Sequence, residues 1–145
     1  MKWVQKHKGT IVETISLLFV LLFVYAAISK LLDFEIFKVQ LGQSPLLAPF
    51  QGTIAWMVPL LELIISIMLL VPILRVKALY ASYALMTCFT LYIITVLKFS
   101  NRIPCSCGGI LEKLGWEEHI VFNMVFIILS IIGLLLTIKH QKINA

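Results

Sequence analysis

The chain has 145 residues, of which 61% are hydrophobic and only 13% carry a charged side chain. A soluble domain averages about 25% charged residues, and a chain of this size could not hide so much apolar surface from water. The composition therefore excludes an ordinary soluble domain and indicates an integral membrane protein. The net charge of +5 does not indicate a nucleic-acid partner, because the basic residues lie at the ends of apolar runs, where membrane topology places them.

Four apolar runs are long enough to cross a hydrocarbon core of about 30 Å at 1.5 Å per residue of helix. We predict membrane spans at residues 10–32, 53–74, 78–99 and 119–138. The turn between the second and third spans is very short, so these two helices must pack antiparallel. The predicted fold is an all-α polytopic membrane protein: a single domain over residues 1–145 that forms an up-down four-helix bundle surrounded by lipid.

The segment between the first two spans has a different pattern. Phe34, Phe37 and Leu41 recur at helical spacing among polar residues, which predicts a short amphipathic helix lying in the membrane interface. Gly42 is expected to end this helix, because glycine is common just past a helix C-terminus.

The distribution of basic residues predicts the orientation. Cytoplasmic loops of membrane proteins carry an excess of lysine and arginine. Here the basic residues are concentrated at the two termini and in the turn between the second and third spans: Lys2, Lys6, Lys8, Arg75, Lys77, Lys139 and Lys142. We therefore expect a multi-pass membrane protein with both termini in the cytoplasm; the bacterial inner (plasma) membrane is the location implied by the family resemblance described below. Residues 33–52 and 100–118 would then be extracytoplasmic.

A polar segment after the third span contains the most reactive residue types. Cys105 and Cys107 are one residue apart, with Pro104 before them and Gly108 and Gly109 after them. In an oxidising compartment such a pair can form a disulfide if the backbone turns sharply between the two residues, which the glycines permit. The small ring would be strained and easily reduced, which favours a labile or catalytic disulfide over a structural one. The alternative without function is chance proximity.

A metal site is the competing hypothesis for the same cysteines. Two thiolates can bind a soft ion such as Cu(I), whereas a structural zinc needs four ligands. His119 and Cys88 are the remaining candidates, and Cys88 falls midway along the third span, where we expect a buried, inert thiol. No metal is favoured on this pattern.

Lys30 and Glu62 are two opposite charges placed at depth in neighbouring spans. Ionisable residues inside a membrane span are costly unless they are paired or hydrated, and they usually mark function. One hypothesis is an ion pair or shared polar pocket. The other is that Lys30 extends toward the membrane surface while Glu62 binds water.

Polar residues also line one face of the fourth span. His119, Asn123 and Ser130 share this face. Tyr83, Thr87 and Thr90 likewise share one face of the third span, and both patterns predict hydrogen bonds between helices. Asn123 is therefore a candidate member of the polar pocket. His119 lies close to the cysteine segment and titrates near neutral pH, so it could exchange a proton with a cysteine thiol. The alternative for His119 is an interfacial hydrogen bond.

Three sequence features together resemble the DoxX/MauE-like membrane proteins, particularly the MauE branch. The resemblance extends from about residue 25 to residue 136. It is carried by Ser29-Lys30-Leu31 followed by Asp33 and Phe37, by Pro59-x-x-Glu62-Leu63, and by Pro104-Cys105-Ser106-Cys107-Gly108-Gly109.

The resemblance implies a four-helix inner-membrane protein tied to thiol redox chemistry. MauE is linked to maturation of the disulfide-rich small subunit of methylamine dehydrogenase, and DoxX relatives are linked to quinone-coupled sulfur oxidation. MauE-type loops commonly carry Cys-x-Cys-Phe-Gly, whereas this chain has Gly108 in place of the phenylalanine. We therefore transfer the general role of a membrane thiol–disulfide component, and not a role in the methylamine pathway.

The function predicted on these grounds is oxidoreductase-like. Cys105 and Cys107 would pass electrons between an extracytoplasmic partner, either thioredoxin-like or disulfide-bearing, and the membrane quinone pool. His119 would assist, and a quinone is the expected cofactor. The alternative is a non-catalytic membrane subunit or scaffold that docks a redox partner or a soft metal such as Cu(I). The chain lacks a second extracytoplasmic cysteine pair of the kind that a self-contained relay could use, and this favours the alternative.

Overall fold

The computed structural model of the chain describes residues 2–42, 44–99 and 116–144. These ranges contain helices and turns and no β-strand, which confirms the all-α prediction. The helices are α1 (Lys2–Lys6), α2 (Lys8–Leu32), α3 (Phe34–Gly42), α4 (Gln51–Leu70), α5 (Arg75–Phe99) and α6 (Trp116–Asn144), and short 3-10 helices cover Ala48–Phe50 and Pro72–Leu74.

The four long helices, α2, α4, α5 and α6, are each long and apolar enough to cross a membrane. The prediction of a polytopic membrane protein is therefore confirmed. α2 and α5 begin slightly before the predicted spans 10–32 and 78–99.

The other two predicted spans differ more from the structure. α4 ends at Leu70 rather than at residue 74, because Pro72 cannot continue an α-helix and instead opens a 3-10 turn. α6 extends beyond the predicted 119–138 at both ends, since polar residues on either side of the apolar run continue the helix. Hydropathy locates the apolar part of a span, whereas the helix itself ends where its backbone hydrogen bonds end.

The long helices form a ring in the order α2, α4, α5, α6. Each packs against its two neighbours in the ring, most extensively α2 against α4 and α5 against α6. Consecutive helices run in opposite directions, as predicted for an up-down bundle. The C-terminal ends of α2 and α5 and the N-terminal ends of α4 and α6 therefore meet at the end of the bundle where α3 lies. We call this the α3 end.

The interior of the bundle is packed with aromatic and aliphatic side chains. Phe19 is fully buried, and its ring lies 5.6 Å from that of Phe23 and 5.2 Å, edge to face, from that of Phe126. Edge-to-face contact is a favourable arrangement for two aromatic rings. Large apolar side chains also cover the outside of the bundle, as expected of a surface in contact with lipid rather than water: Leu21, Leu60, Ile67, Leu91 and Leu135.

α3 is attached to the bundle through its apolar face. Phe37 and Leu41 are buried against Ala55 of α4, and the ring of Phe34 lies 4.8 Å from that of Trp56. These contacts use the residues whose spacing predicted an amphipathic helix. They show that its apolar face packs on protein.

Several serine and threonine hydroxyl groups in the long helices donate to carbonyl oxygens of their own helix. Thr90 Oγ1 donates to the carbonyl oxygen of Met86 at 2.8 Å, and Ser130 Oγ donates to that of Ile127 at 2.6 Å. The prediction that such side chains bond between helices was wrong for these two residues. A hydroxyl in a helix reaches the carbonyl three or four residues earlier without needing any partner helix.

Gly133 lies where α6 packs against Leu79 of α5 and Ile15 of α2. A Cβ atom added there would lie 3.4 Å from Leu79 Cδ1 and 3.5 Å from Ile15 Cγ2, so a methyl group fits and a larger side chain does not.

We expect Gly133→Ala to be neutral or to stabilise the helix by up to about 1 kcal/mol. Gly133→Leu should destabilise the bundle by about 1–3 kcal/mol through overpacking. Unfolding in mixed detergent micelles would measure both changes. Gly9→Leu is the control, because a Cβ atom there meets no neighbour within 4 Å. A Gly133→Leu variant as stable as Gly9→Leu would contradict this account.

Candidate functional site

A buried ion pair connects α2 and α4. Lys30 is in the last turn of α2, and Glu62 lies in the middle of α4. Lys30 Nζ donates to Glu62 Oε1 at 2.8 Å, with the side chains 6% and 0% exposed. Two charges withdrawn from solvent to this extent incur a desolvation penalty of several kcal/mol each, which their mutual attraction offsets only at close range. The pair is therefore a costly feature that packing alone does not require.

Two aromatic rings flank the lysine ammonium group. Lys30 Nζ lies 5.5 Å from the centroid of the Phe89 ring and 5.9 Å from that of Phe37. Both distances fall within the range of cation–π attraction, which is stronger where the cation is desolvated. α3 and α5 thus contribute to holding the ammonium group in place, together with Glu62 on α4.

A small cavity lies on one side of the ion pair. Its volume is about 30 Å³, and its lining includes Lys30, Glu62, His119 and Asn123. All four side chains are buried. Within the described ranges, Glu62 Oε2 and the side-chain nitrogen of Asn123 are buried atoms without a hydrogen-bond partner. The structure thus brings Lys30, Glu62, Asn123 and His119 together around one small cavity, whose other lining residues are apolar.

A much larger pocket lies on the other side of the pair, between α3, α4 and α5. Its volume is about 440 Å³, and among the described residues Lys30 is the one charged residue that lines it. The rest of the wall is mainly apolar and includes Phe37, Val58, Leu85 and Phe89. Exposed residues such as Leu61 also line it, so the pocket adjoins the lipid-facing surface. Lys30 and Phe89 line both cavities and separate them.

Cys105 and Cys107 lie outside the described residues. The segment that carries them leaves α5 at Phe99 and returns to the bundle at Trp116, the first residue of α6. Both helix ends are at the α3 end. His119 follows within one turn of Trp116 and lines the small cavity. The polar cluster is therefore at the same end of the bundle as the two residues that anchor the cysteine segment.

A family model described as methylamine utilisation protein MauE matches residues 8–136. The chain belongs to the MauE family. The matched range includes the ion pair, both cysteines of the Cys-x-Cys segment and nearly all of the four candidate spans. No curated protein and no solved structure matches the chain. The relationship to DoxX proteins stays a prediction.

Cys88 is placed differently from what the sequence of this MauE-family protein suggested. We expected a buried thiol, but Cys88 is exposed and contributes to the wall of the large pocket. The residue lies at mid-span on the side of α5 that turns toward α3 and the lipid, whereas the expectation rested only on the general tendency of free cysteine to be buried.

Sequence reasoning missed the large pocket and the role of Phe89 in it. The pocket forms because α3 folds back over the ends of α4 and α5, and its walls are ordinary apolar residues that no motif distinguishes. The only signal in the sequence was Lys30 itself. In residues 2–42, 44–99 and 116–144, no three histidine, cysteine, aspartate or glutamate side chains come close enough to hold a metal ion.

Proposed function

We infer that this MauE-family protein is a thiol–disulfide redox component of the bacterial inner membrane. Cys105 and Cys107 would exchange electrons with an extracytoplasmic thiol partner and pass them on to the quinone pool. The observation that carries this proposal is the buried polar cluster of Lys30, Glu62, His119 and Asn123, at the end of the bundle where the cysteine segment is anchored. Ionisable groups at such depth in a membrane protein usually mark function.

The thiol chemistry balances in two steps. A partner thiolate attacks the Cys105–Cys107 disulfide, a mixed disulfide forms, and the partner's second thiol displaces it. The partner is oxidised to a disulfide, while Cys105 and Cys107 gain two electrons and two protons. When the pair is oxidised again, both electrons and both protons must leave. His119 is the nearest buried base to the segment in sequence, and we assign it the acceptance of a thiol proton.

The large pocket has the properties needed for a quinone. Its volume of about 440 Å³ falls in the range of small-molecule sites, about 300–1,000 Å³, and it adjoins the lipid from which such a molecule would enter. Lys30 would hold a quinone carbonyl by donating a hydrogen bond, and Phe37 and Phe89 would contact the ring. A bound quinone supplies an acceptor for two electrons and two protons. The Lys30–Glu62 pair is formally neutral, which favours a neutral head group over an anion.

The remaining parts of the proposal concern orientation and context. We assign both termini to the cytoplasm and the α3 end to the extracytoplasmic side, because most of the basic residues flank the opposite end. The description of the family names methylamine utilisation. A role for this chain in that process is the part of the proposal that rests on family membership alone.

Trapping a mixed disulfide tests the redox proposal. Cys105→Ser removes the thiol that would close the Cys105–Cys107 disulfide, so Cys107 is expected to stay bonded to a disulfide-bearing partner or to an added single-cysteine peptide supplied as its oxidised dimer. We expect Cys107 to be the attacked sulfur, because Gly108 and Gly109 beside it leave it accessible. His119→Ala should slow the exchange without abolishing it. Protein in inverted and in right-side-out vesicles is alkylated with a membrane-impermeant maleimide, before and after treatment with a mild dithiol. The measurement is the mass of the alkylated protein.

The control for this experiment is a chain that retains Cys88 alone, made by Cys105→Ser and Cys107→Ser together. It should show no change in alkylation with the reductant. Two permanently free thiols that bind Cu(I) in wild-type protein would favour the soft-metal alternative. A disulfide that no mild dithiol reduces would favour a structural bridge in a non-catalytic scaffold. Reductant-dependent labelling in inverted vesicles only would overturn the assigned orientation.

A further inference from the structure

The two cavities on either side of the ion pair suggest a path through it. The small cavity adjoins His119 and Asn123, the large pocket adjoins the lipid, and the Lys30 side chain lines both. Glu62 bonds Lys30 through one carboxylate oxygen, Oε1, while the other, Oε2, has no partner among the described residues. The carboxylate therefore has one oxygen engaged with the lysine and one without a partner, on a side chain that lines the small cavity.

The small cavity is large enough for a water molecule and has four polar side chains in its otherwise apolar wall. A cavity needs about 10–15 Å³ of probe-occupied volume to hold a water molecule, and a buried water needs two to four polar partners. This cavity has about 30 Å³. Glu62 Oε2 offers an acceptor and the Asn123 amide offers a donor, and both are buried without another partner in the described part of the chain. A buried polar atom left unsatisfied is destabilising, and a bridging water would offset that cost.

We propose that a water molecule in the small cavity joins Asn123 to Glu62, and that Glu62 and Lys30 carry protons from this water to the large pocket. The proposal rests on the proposed function, because oxidation of Cys105 and Cys107 releases the protons and a quinone in the large pocket takes them up. It goes further by assigning the proton path to named groups, none of which reacts with sulfur.

The transfer balances atom by atom. Lys30 Nζ gives one proton into the large pocket and becomes neutral. The water gives a proton to Glu62 Oε2 and is reprotonated from the side of His119. The Glu62 carboxyl group then turns about its Cγ–Cδ bond, so that its O–H faces Lys30 Nζ and returns the missing proton. The pair is restored, one proton has crossed, and two such cycles match the two protons released by one pair of thiols.

A purely structural ion pair would not explain this arrangement. Replacing a buried pair by apolar residues of similar volume is often neutral or stabilising, so packing does not require Lys30 and Glu62. A structural pair would also be expected to satisfy both carboxylate oxygens from the protein. Here one oxygen is left for a cavity that includes His119.

Hydroxyl-radical footprinting tests the water directly, without any redox activity. X-ray irradiation of the protein in lipid nanodiscs converts bound water to hydroxyl radicals, which add oxygen to aromatic rings beside it. Phe23 lines the small cavity and is only 1% exposed, whereas Phe19, one turn earlier on α2, is 0% exposed and lines neither cavity. We expect Phe23 to be oxidised many times faster than Phe19. Asn123→Leu, which removes the amide and fills the space, should abolish the difference.

Proton transfer is tested by comparing two rates in the same preparation. One is reduction of the Cys105–Cys107 disulfide by a dithiol, and the other is re-oxidation by a short-chain benzoquinone. Proton transfer by positioned groups typically contributes about 10²–10⁴-fold to a rate, so Asn123→Leu should lower the ratio of re-oxidation to reduction by at least about tenfold. Re-oxidation of the Asn123→Leu variant should also be slower in D₂O than in H₂O. Ser130→Ala, on the same helix and away from both cavities, is the matched control and should leave the ratio unchanged.

The outcomes separate this proposal from the one on which it rests. Equal oxidation of Phe23 and Phe19 in the wild type would mean a dry cavity and overturn the water site. An unchanged ratio in Asn123→Leu would overturn the path even if the cavity is wet. Wild-type cysteines that the benzoquinone does not oxidise would overturn the proposed function and the proton transfer together, and the footprint would still decide whether water is bound.

Discussion

Replacing Glu62 by glutamine is expected to destabilise the bundle by about 3–5 kcal/mol, whereas Lys30→Met and Glu62→Gln together should be close to neutral. The single change leaves the Lys30 ammonium group, on a side chain that is only 6% exposed, beside an amide that cannot neutralise it. The double change removes the charge from both sides of the contact. The more damaging variant is thus the one with fewer substitutions, which is the signature of a desolvated ion pair.

The measurement is a double-mutant cycle of unfolding free energies in mixed detergent micelles. The coupling term between Lys30 and Glu62 should be large and favourable, because the two side chains are in direct contact. Ser66→Ala is a suitable control on the same face of α4. Its hydroxyl bonds only the Glu62 carbonyl oxygen of its own helix, so its removal should leave the coupling intact. Free energies that add simply across the cycle would refute the pairing.

The sequence predicted the fold because the bilayer imposes strong constraints. A span must be helical and about twenty apolar residues long, so hydropathy alone located four helices within a few residues of their observed positions. It could not locate the helix ends, as the end of α4 at Leu70 shows. Those ends depend on local chemistry, here the proline at position 72, and on polar residues that extend α6 beyond the apolar run.

The candidate site was predicted only where a single residue was unusual. Lys30 and Glu62 stood out because charges at depth in a span are rare, and the structure places them in contact. The large pocket could not be predicted, since Val58, Leu85 and Phe89 are ordinary span residues until α3 folds over them. The same holds for Cys88, whose exposure depends on which side of α5 meets the neighbouring helices. Such features arise from tertiary packing, which no local pattern encodes.

The double variant Lys30→Met, Glu62→Gln also separates stability from ligand binding. If it is as stable as the wild type, any loss of binding comes from the missing Lys30 donor and its Glu62 partner. A hydrogen bond to a charged group contributes about 1.5–3 kcal/mol, and every 1.4 kcal/mol is a factor of ten in affinity. We therefore expect the double variant to bind a short-chain benzoquinone about tenfold to a hundredfold more weakly than the wild type does.

Calorimetric titration of the protein in lipid nanodiscs would measure these affinities, with empty nanodiscs subtracted. The matched control ligand is the corresponding alkylbenzene, which has the same ring and chain but no carbonyl oxygen. It should bind the wild type and the double variant equally well, because the apolar walls of the pocket are the same in both. An alkylbenzene that binds the wild type as tightly as the quinone would mean that Lys30 does not recognise a carbonyl. The pocket would then be a site for any apolar chain, such as a lipid tail, and the quinone assignment would fail even if Cys105 and Cys107 proved to be redox-active.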